Sequence, residues 1–160
     1  MSAVWSKLYQ YLPYSAGLFL GLYFSGLYLT GLDFAYFPGD LGDARFNIYI
    51  LEHAWRYITG DVPSLWNAPF MYPEKNVITF SDNLLGNAPF YGIFRFLNLD
   101  RVTSFQGWVI LVMILNYSCC YLFLNYLVKN RSAAAIGAFI FAFSIALHPQ
   151  ALHAQTFPRF

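Results

Sequence analysis

Hydrophobic residues run without a charged break over residues 11–32 (YLPYSAGLFLGLYFSGLYLTGL) and over residues 103–128 (TSFQGWVILVMILNYSCCYLFLNYLV). Each run is long enough, at about 20 residues or more, to cross a hydrocarbon core of about 30 Å as a helix. A third run begins at Ser132 (SAAAIGAFIFAFSIAL) and reaches spanning length only if it continues to His148 and Pro149. Lys129, Asn130 and Arg131 lie between the second and third runs and predict a tight basic turn. Pro13 falls near the start of the first run, where a missing N–H costs little. Tyr9, Tyr11 and Tyr14 mark one of its ends, Tyr36 and Phe37 the other, as interfacial aromatics do. The first run reads as an uncleaved anchor: it is long for a signal peptide, and no A-x-A site follows.

Between the first two runs the pattern changes. In residues 44–58 (ARFNIYILEHAWRYI), Phe46, Ile50, Ala54 and Ile58 recur at helical spacing, and Leu51 and Trp55 broaden the face. This predicts an amphipathic helix lying in the membrane interface and closed by Gly60, with Glu52 and His53 on its solvated face. Residues 61–76 contain Pro63, Pro69 and Pro73 and read as irregular. Residues 77–80 (VITF) read as a short strand, and residues 84–98 as a second interfacial helix bent or begun at Pro89.

Composition strengthens the membrane reading. The chain has 160 residues, 58% hydrophobic, 21% aromatic and only 11% charged. Soluble domains are about 25% charged, so a chain this poor in charge cannot cover a water-facing surface of its own unless it is buried in a large complex. The net charge of +1 is uninformative, but the placement of charge is not. All eight acidic residues lie between Asp33 and Asp100, whereas Lys7, Lys129 and Arg131 flank the apolar runs on one side. The positive-inside rule puts that side, and the N-terminus, in the cytoplasm, with residues 33–101 outside. No basic run with interleaved aromatics is present, which argues against a nucleic-acid partner. Cys119 and Cys120 are adjacent within an apolar run and read as small apolar residues. The predicted fold class is thus an all-α membrane protein. About three transmembrane helices (11–32, 103–128, 132–149) join a structured extracytoplasmic loop (33–102) with amphipathic interfacial helices, all in one membrane domain.

Three constellations could carry chemistry. Asp40 and Asp43 stand three residues apart beside Gly39 and Gly42, just past the first span. Together they could hold a divalent cation such as Mg or Mn, or one could act as a general base. Equally, Asp43 suits the N-cap of the following helix and Asp40 a turn. Ser81, Asp82 and Asn83 could present polar groups to a sugar or phosphate, or cap the second loop helix. His148 and His153, with Gln155 and Arg159, could neutralise a phosphate or simply end a span.

The chain resembles the N-terminal part of the GT-C glycosyltransferases, polytopic enzymes that use polyprenyl-phosphate sugars, notably the bacterial YfhO-like and ArnT/PMT-like members. The resemblance rests on Gly42-Asp43-Ala44-Arg45-Phe46 after the first span, Leu65-Trp66-Asn67-Ala68-Pro69-Phe70-Met71-Tyr72-Pro73, Ser81-Asp82-Asn83, and Phe141-Ala142-Phe143-Ser144 running into His153-Ala154-Gln155. It implies transfer of a sugar from a polyprenyl-phosphate donor to an acceptor at the extracytoplasmic face of a bacterial plasma membrane. Asp43 would be the principal carboxylate and Asp40 its support. Arg45, Ser81, Asp82, Asn83, His153, Gln155 and Arg159 would bind substrate. The family often has a Glu directly after the key Asp, and Ala44 stands there instead, which shifts weight to Asp40. Family members have eight or more spans, so residues 1–160 are expected to be the front of a longer enzyme and to insert without transferring sugar alone. The rival reading is a non-enzymatic assembly subunit or part of a transporter. The absence of ionisable residues within the spans counts against a transporter.

Overall fold

In a computed structural model the described residues are 3–143, with side chains from Tyr9 onward. They form five helical rods and no strand. The first rod is segmented: α1 (Ala3–Gly21) passes through a π-helical turn (Leu22–Gly26) into α2 (Leu27–Thr30). The second rod is α3 (Asp43–Ile58), the third α4 (Ala88–Phe96), the fourth α5 (Arg101–Val128) and the fifth α6 (Arg131–Phe143). Two stretches, Tyr9–Thr30 and Arg101–Val128, are long and apolar enough to cross a membrane; α6 is shorter, and residues 144–149 of the expected third span lie outside the described residues. Pro13 lies inside α1 rather than near its start, because the helix already begins at Ala3. Such an interior proline is tolerated in apolar helices where neighbours re-satisfy the freed backbone group.

The apolar helices pack as a bundle around α5. The α5–α6 connection is the predicted tight turn: Lys129 takes a left-handed conformation (φ 54°), and Asn130 Oδ1 accepts from Ala133 N at 3.1 Å to start α6. The first rod runs antiparallel to α5. Tyr14 Oη lies 2.8 Å from Ser118 Oγ, and the Tyr117 hydroxyl donates to Tyr14 O at 2.9 Å. At Gly21 the α1 backbone meets α6 so closely that the Phe143 ring leaves no room for an added Cβ. Small residues at such crossings let membrane helices pack where apolar burial alone gives no drive. Arg131 donates to Gln10 Oε1 at 2.6 Å and sits over the Tyr11 ring, so the basic turn and the N-terminal part of α1 share one end of the bundle.

The polar segment covers the opposite end. Gln106, buried on α5, donates through Nε2 to Phe34 O and Tyr36 O, each at 2.7 Å, and Phe37 stacks on Phe105 at 5.4 Å. These contacts fasten the stretch after α2 onto the fourth rod. Helix α3 ends as its sequence predicts, with Gly60 in the positive-φ region (φ 84°) just past Thr59. Ile50, Leu51 and Ala54 of its expected apolar face are buried, but Ile58 is exposed. The proline-rich stretch folds back on α3, with Phe70 edge-on to Phe46 at 5.3 Å and to Tyr49 at 5.8 Å.

Two further segments of the stretch between the long helices differ from what their sequence predicts. Residues 77–80 are a 3-10 turn (Val77–Phe80), not a strand. Val77 and Ile78 are both buried, and consecutive side chains cannot enter one core from a strand, whose residues alternate between faces. Thr79 instead bonds back to Asn76 O through its N–H and its hydroxyl, at 2.9 and 2.7 Å. The second loop helix is shorter than 84–98: Leu84 takes a positive φ and receives the N–H groups of Asn87 and Ala88, so α4 begins at Ala88 with Pro89 in its first turn.

Candidate functional site

The acidic motif stands at the head of α3. Asp40 Oδ1 accepts from Gly42 N at 3.1 Å and from Ala44 N at 3.2 Å. The capping role expected of Asp43 therefore belongs to Asp40, two residues upstream of the N-cap position at Gly42, which has no side chain to offer. Asp43 is in the first helical turn, half-buried, where its charge complements the helix dipole. Ala44 behind it is fully buried, and Arg45 is exposed. Ser81, Asp82 and Asn83 are all exposed; Asn83 Oδ1 accepts from Leu85 N at 3.1 Å and shapes the turn before α4 rather than capping the helix. His153, Gln155 and Arg159 lie outside the described residues. Among the described residues no three His, Cys, Asp or Glu side chains gather into a group that could hold a metal ion.

A second polar site lies in the middle of α3, and the sequence reading missed it. Glu52 and His53 are buried, at 9% and 5% exposure, not solvated as their place in the pattern predicted. Glu52 Oε2 accepts from the Tyr91 hydroxyl at 2.7 Å, and its Oε1 accepts from Arg95 Nη2 at 3.1 Å. Arg95 Nε adds an ionic contact at 2.9 Å to Oε2, and a further Arg95 nitrogen donates to Leu99 O. Arg101 Nε lies 3.9 Å from Glu52 Oε1 on a side chain that is 71% exposed. The cluster survives burial because the carboxylate has both an ion partner and hydroxyl donation; an unpaired buried charge would be far costlier. His53 Nε2 lies 3.1 Å from Ser64 O and 3.0 Å from Leu65 O, pinning the proline-rich stretch to α3. A signal for the cluster was present: Arg95 is the single charge in the apolar helix APFYGIFRF, and a lone charge there demands a carboxylate from another element.

Glu52, His53, Arg95 and Arg101 line an open cleft of about 900 Å³ together with Tyr49, Arg56 and Asp100, whereas Tyr91 is fully buried and does not line it. None of Asp40, Asp43, Arg45, Ser81, Asp82 and Asn83 lines it, so the structure separates the expected site residues from this cleft. Comparison with protein-family models, curated proteins and solved structures gives no match.

Tyr91, fully buried and outside the cleft lining, and Asp100, in that lining, have displaced proton affinities. Burial, reinforced by the Glu52 carboxylate, pushes the Tyr91 phenol far above its ordinary range, so it remains a donor. The Thr103 hydroxyl and amide, with Val102 N, hold the Asp100 carboxyl below the usual carboxylate range. Asp100 is thus an ionised helix cap, with Oδ1 accepting from Val102 N at 2.9 Å and Thr103 N at 3.1 Å.

Proposed function

We propose that the chain is part of a membrane glycosyltransferase of the GT-C type, which takes sugar from a polyprenyl-phosphate donor on the extracytoplasmic face. In this reading the first rod, α5 and a third span starting with α6 cross the bilayer. Lys7, Lys129 and Arg131 stay in the cytoplasm, and α3 and α4 lie at the outer interface. The observation that supports it is the folded polar cap at the end of the two long apolar helices, opposite the basic turn. A lipid-anchored donor delivers its phosphate at that depth, within reach of groups held on short helices. Asp43 would accept the proton from the acceptor hydroxyl, with Asp40 holding the head of α3 rigid.

Asp43→Asn removes a proton acceptor while leaving the cap at Asp40 untouched. Sugar transfer from a labelled polyprenyl-phosphate sugar, measured in membranes expressing the full gene product, should fall roughly a hundredfold or more at equal expression. Normal transfer by a well-folded Asp43→Asn protein would remove Asp43 from the mechanism. Orientation has its own test. Single cysteines at Asn76 and Asn130, in a background lacking Cys119 and Cys120, are labelled in intact cells with an impermeant thiol reagent. Labelling at Asn76 alone is expected, and labelling at Asn130 alone would reverse the topology.

A further inference from the structure

We propose that the cleft between α3 and the start of α5 binds a phosphate ester through Arg56 and Arg101. The charges that line it are unequally committed. Glu52 is taken up by Arg95 and Tyr91. Asp100 is taken up by the backbone and hydroxyl at the head of α5. Asp61 accepts from the Thr59 hydroxyl at 3.3 Å. Arg95 is held by Glu52 and by Leu99 O. Two cations remain open to the cleft. Among the described residues, Arg101 has only a loose 3.9 Å contact, to a carboxylate already held by Arg95, and Arg56 is exposed in the last turn of α3 with no carboxylate within 4 Å. The formal charges of the cleft balance, and what it offers an anion is the N–H donors of Arg56 and Arg101, which no close carboxylate among the described residues takes up. Guanidinium forks suit phosphate oxygens, which accept in pairs. The cleft, at about 900 Å³, has room for a headgroup larger than phosphate alone.

Arg101 is the first residue of a helix long and apolar enough to span. A phosphate held there would sit where a lipid presents its headgroup, so a lipid and a free phosphate ester are the two sources of this chemistry; only the lipid source rests on the function proposed above. The test is calorimetric titration of the 160-residue chain in phosphatidylcholine nanodiscs with geranyl phosphate, inorganic phosphate and geraniol. Geranyl phosphate should bind, and Arg56→Gln/Arg101→Gln should weaken it roughly ten- to a hundredfold, as loss of charge-assisted hydrogen bonds does. Arg101→Lys should restore part of the affinity, and circular dichroism should show each variant folded. Inorganic phosphate binding as tightly as geranyl phosphate assigns a free phosphate, and geranyl phosphate binding at least tenfold tighter assigns a lipid headgroup; both support the site. Absence of binding by either phosphate, equal binding of geraniol, or unchanged affinity in the double variant overturns it. Loss of the glycosyltransferase reading, with arginine-dependent geranyl phosphate binding intact, would leave this site standing.

Discussion

Asp40 and Glu52 are both carboxylates of the α3 region, yet they spend their charge differently. Asp40 is half-buried and bonds backbone N–H groups of its own turn, two and four residues on. Glu52 is buried and bonds side chains 39 and 43 residues away on α4. The first is a local device that shapes one helix end; the second joins two helices and reaches a third through Arg101. The difference teaches that flanking glycines and spacing mark a carboxylate's local task but say little about which carboxylate the fold depends on.

The comparison breaks most visibly at Glu52. Glu52→Gln should lower stability by about 2–4 kcal/mol, since it leaves the Arg95 charge largely buried without its counter-ion. Thermal or denaturant unfolding in mild detergent measures this, and a loss no greater than that of Asp40→Ala would erase the distinction drawn here. Next, Tyr91→Phe should cost about 1–2 kcal/mol by removing one charge-assisted hydrogen bond. It should also change the alkaline limb of stability. The folded phenol ionises later than the unfolded one, so folding is undisturbed below the ordinary tyrosine range and loses stability as pH rises beyond it. The variant should lack that part of the loss when melts are compared at neutral pH and at about pH 11.

Asp40→Ala should cost about 1 kcal/mol, the usual worth of a helix-head acceptor, whereas Asp40→Asn, which keeps an oxygen in place, should cost almost nothing. Equal losses in both variants would mean that the charge rather than the acceptor matters. The smallest effect concerns Asp100. Its folded carboxyl sits below its unfolded value, so its contribution is whole above the ordinary carboxylate range and is lost as pH falls through the folded value. Asp100→Asn should therefore narrow the difference between melting temperatures at pH 7 and pH 3, and an unchanged difference would assign the acid sensitivity elsewhere.

Much of the architecture was determined by the sequence alone. The two long apolar stretches, the basic turn at Lys129–Arg131 and the helix closed by Gly60 were legible because hydropathy, helical period and end signals act over a few neighbouring residues. The tertiary structure decided where the polar groups went. Asp40 rather than Asp43 serves the head of α3, because the chain bends at Gly42. Val77 and Ile78 enter the core together, so a strand-like tetrapeptide becomes a helical turn. Glu52 is buried because α4 brings Tyr91 and Arg95 against it, and the start of α5 lines the cleft beside it. A charge on a helix can face water or a partner with the same sequence spacing. Only the packing of a distant helix supplies the counter-charge that makes burial less costly than exposure.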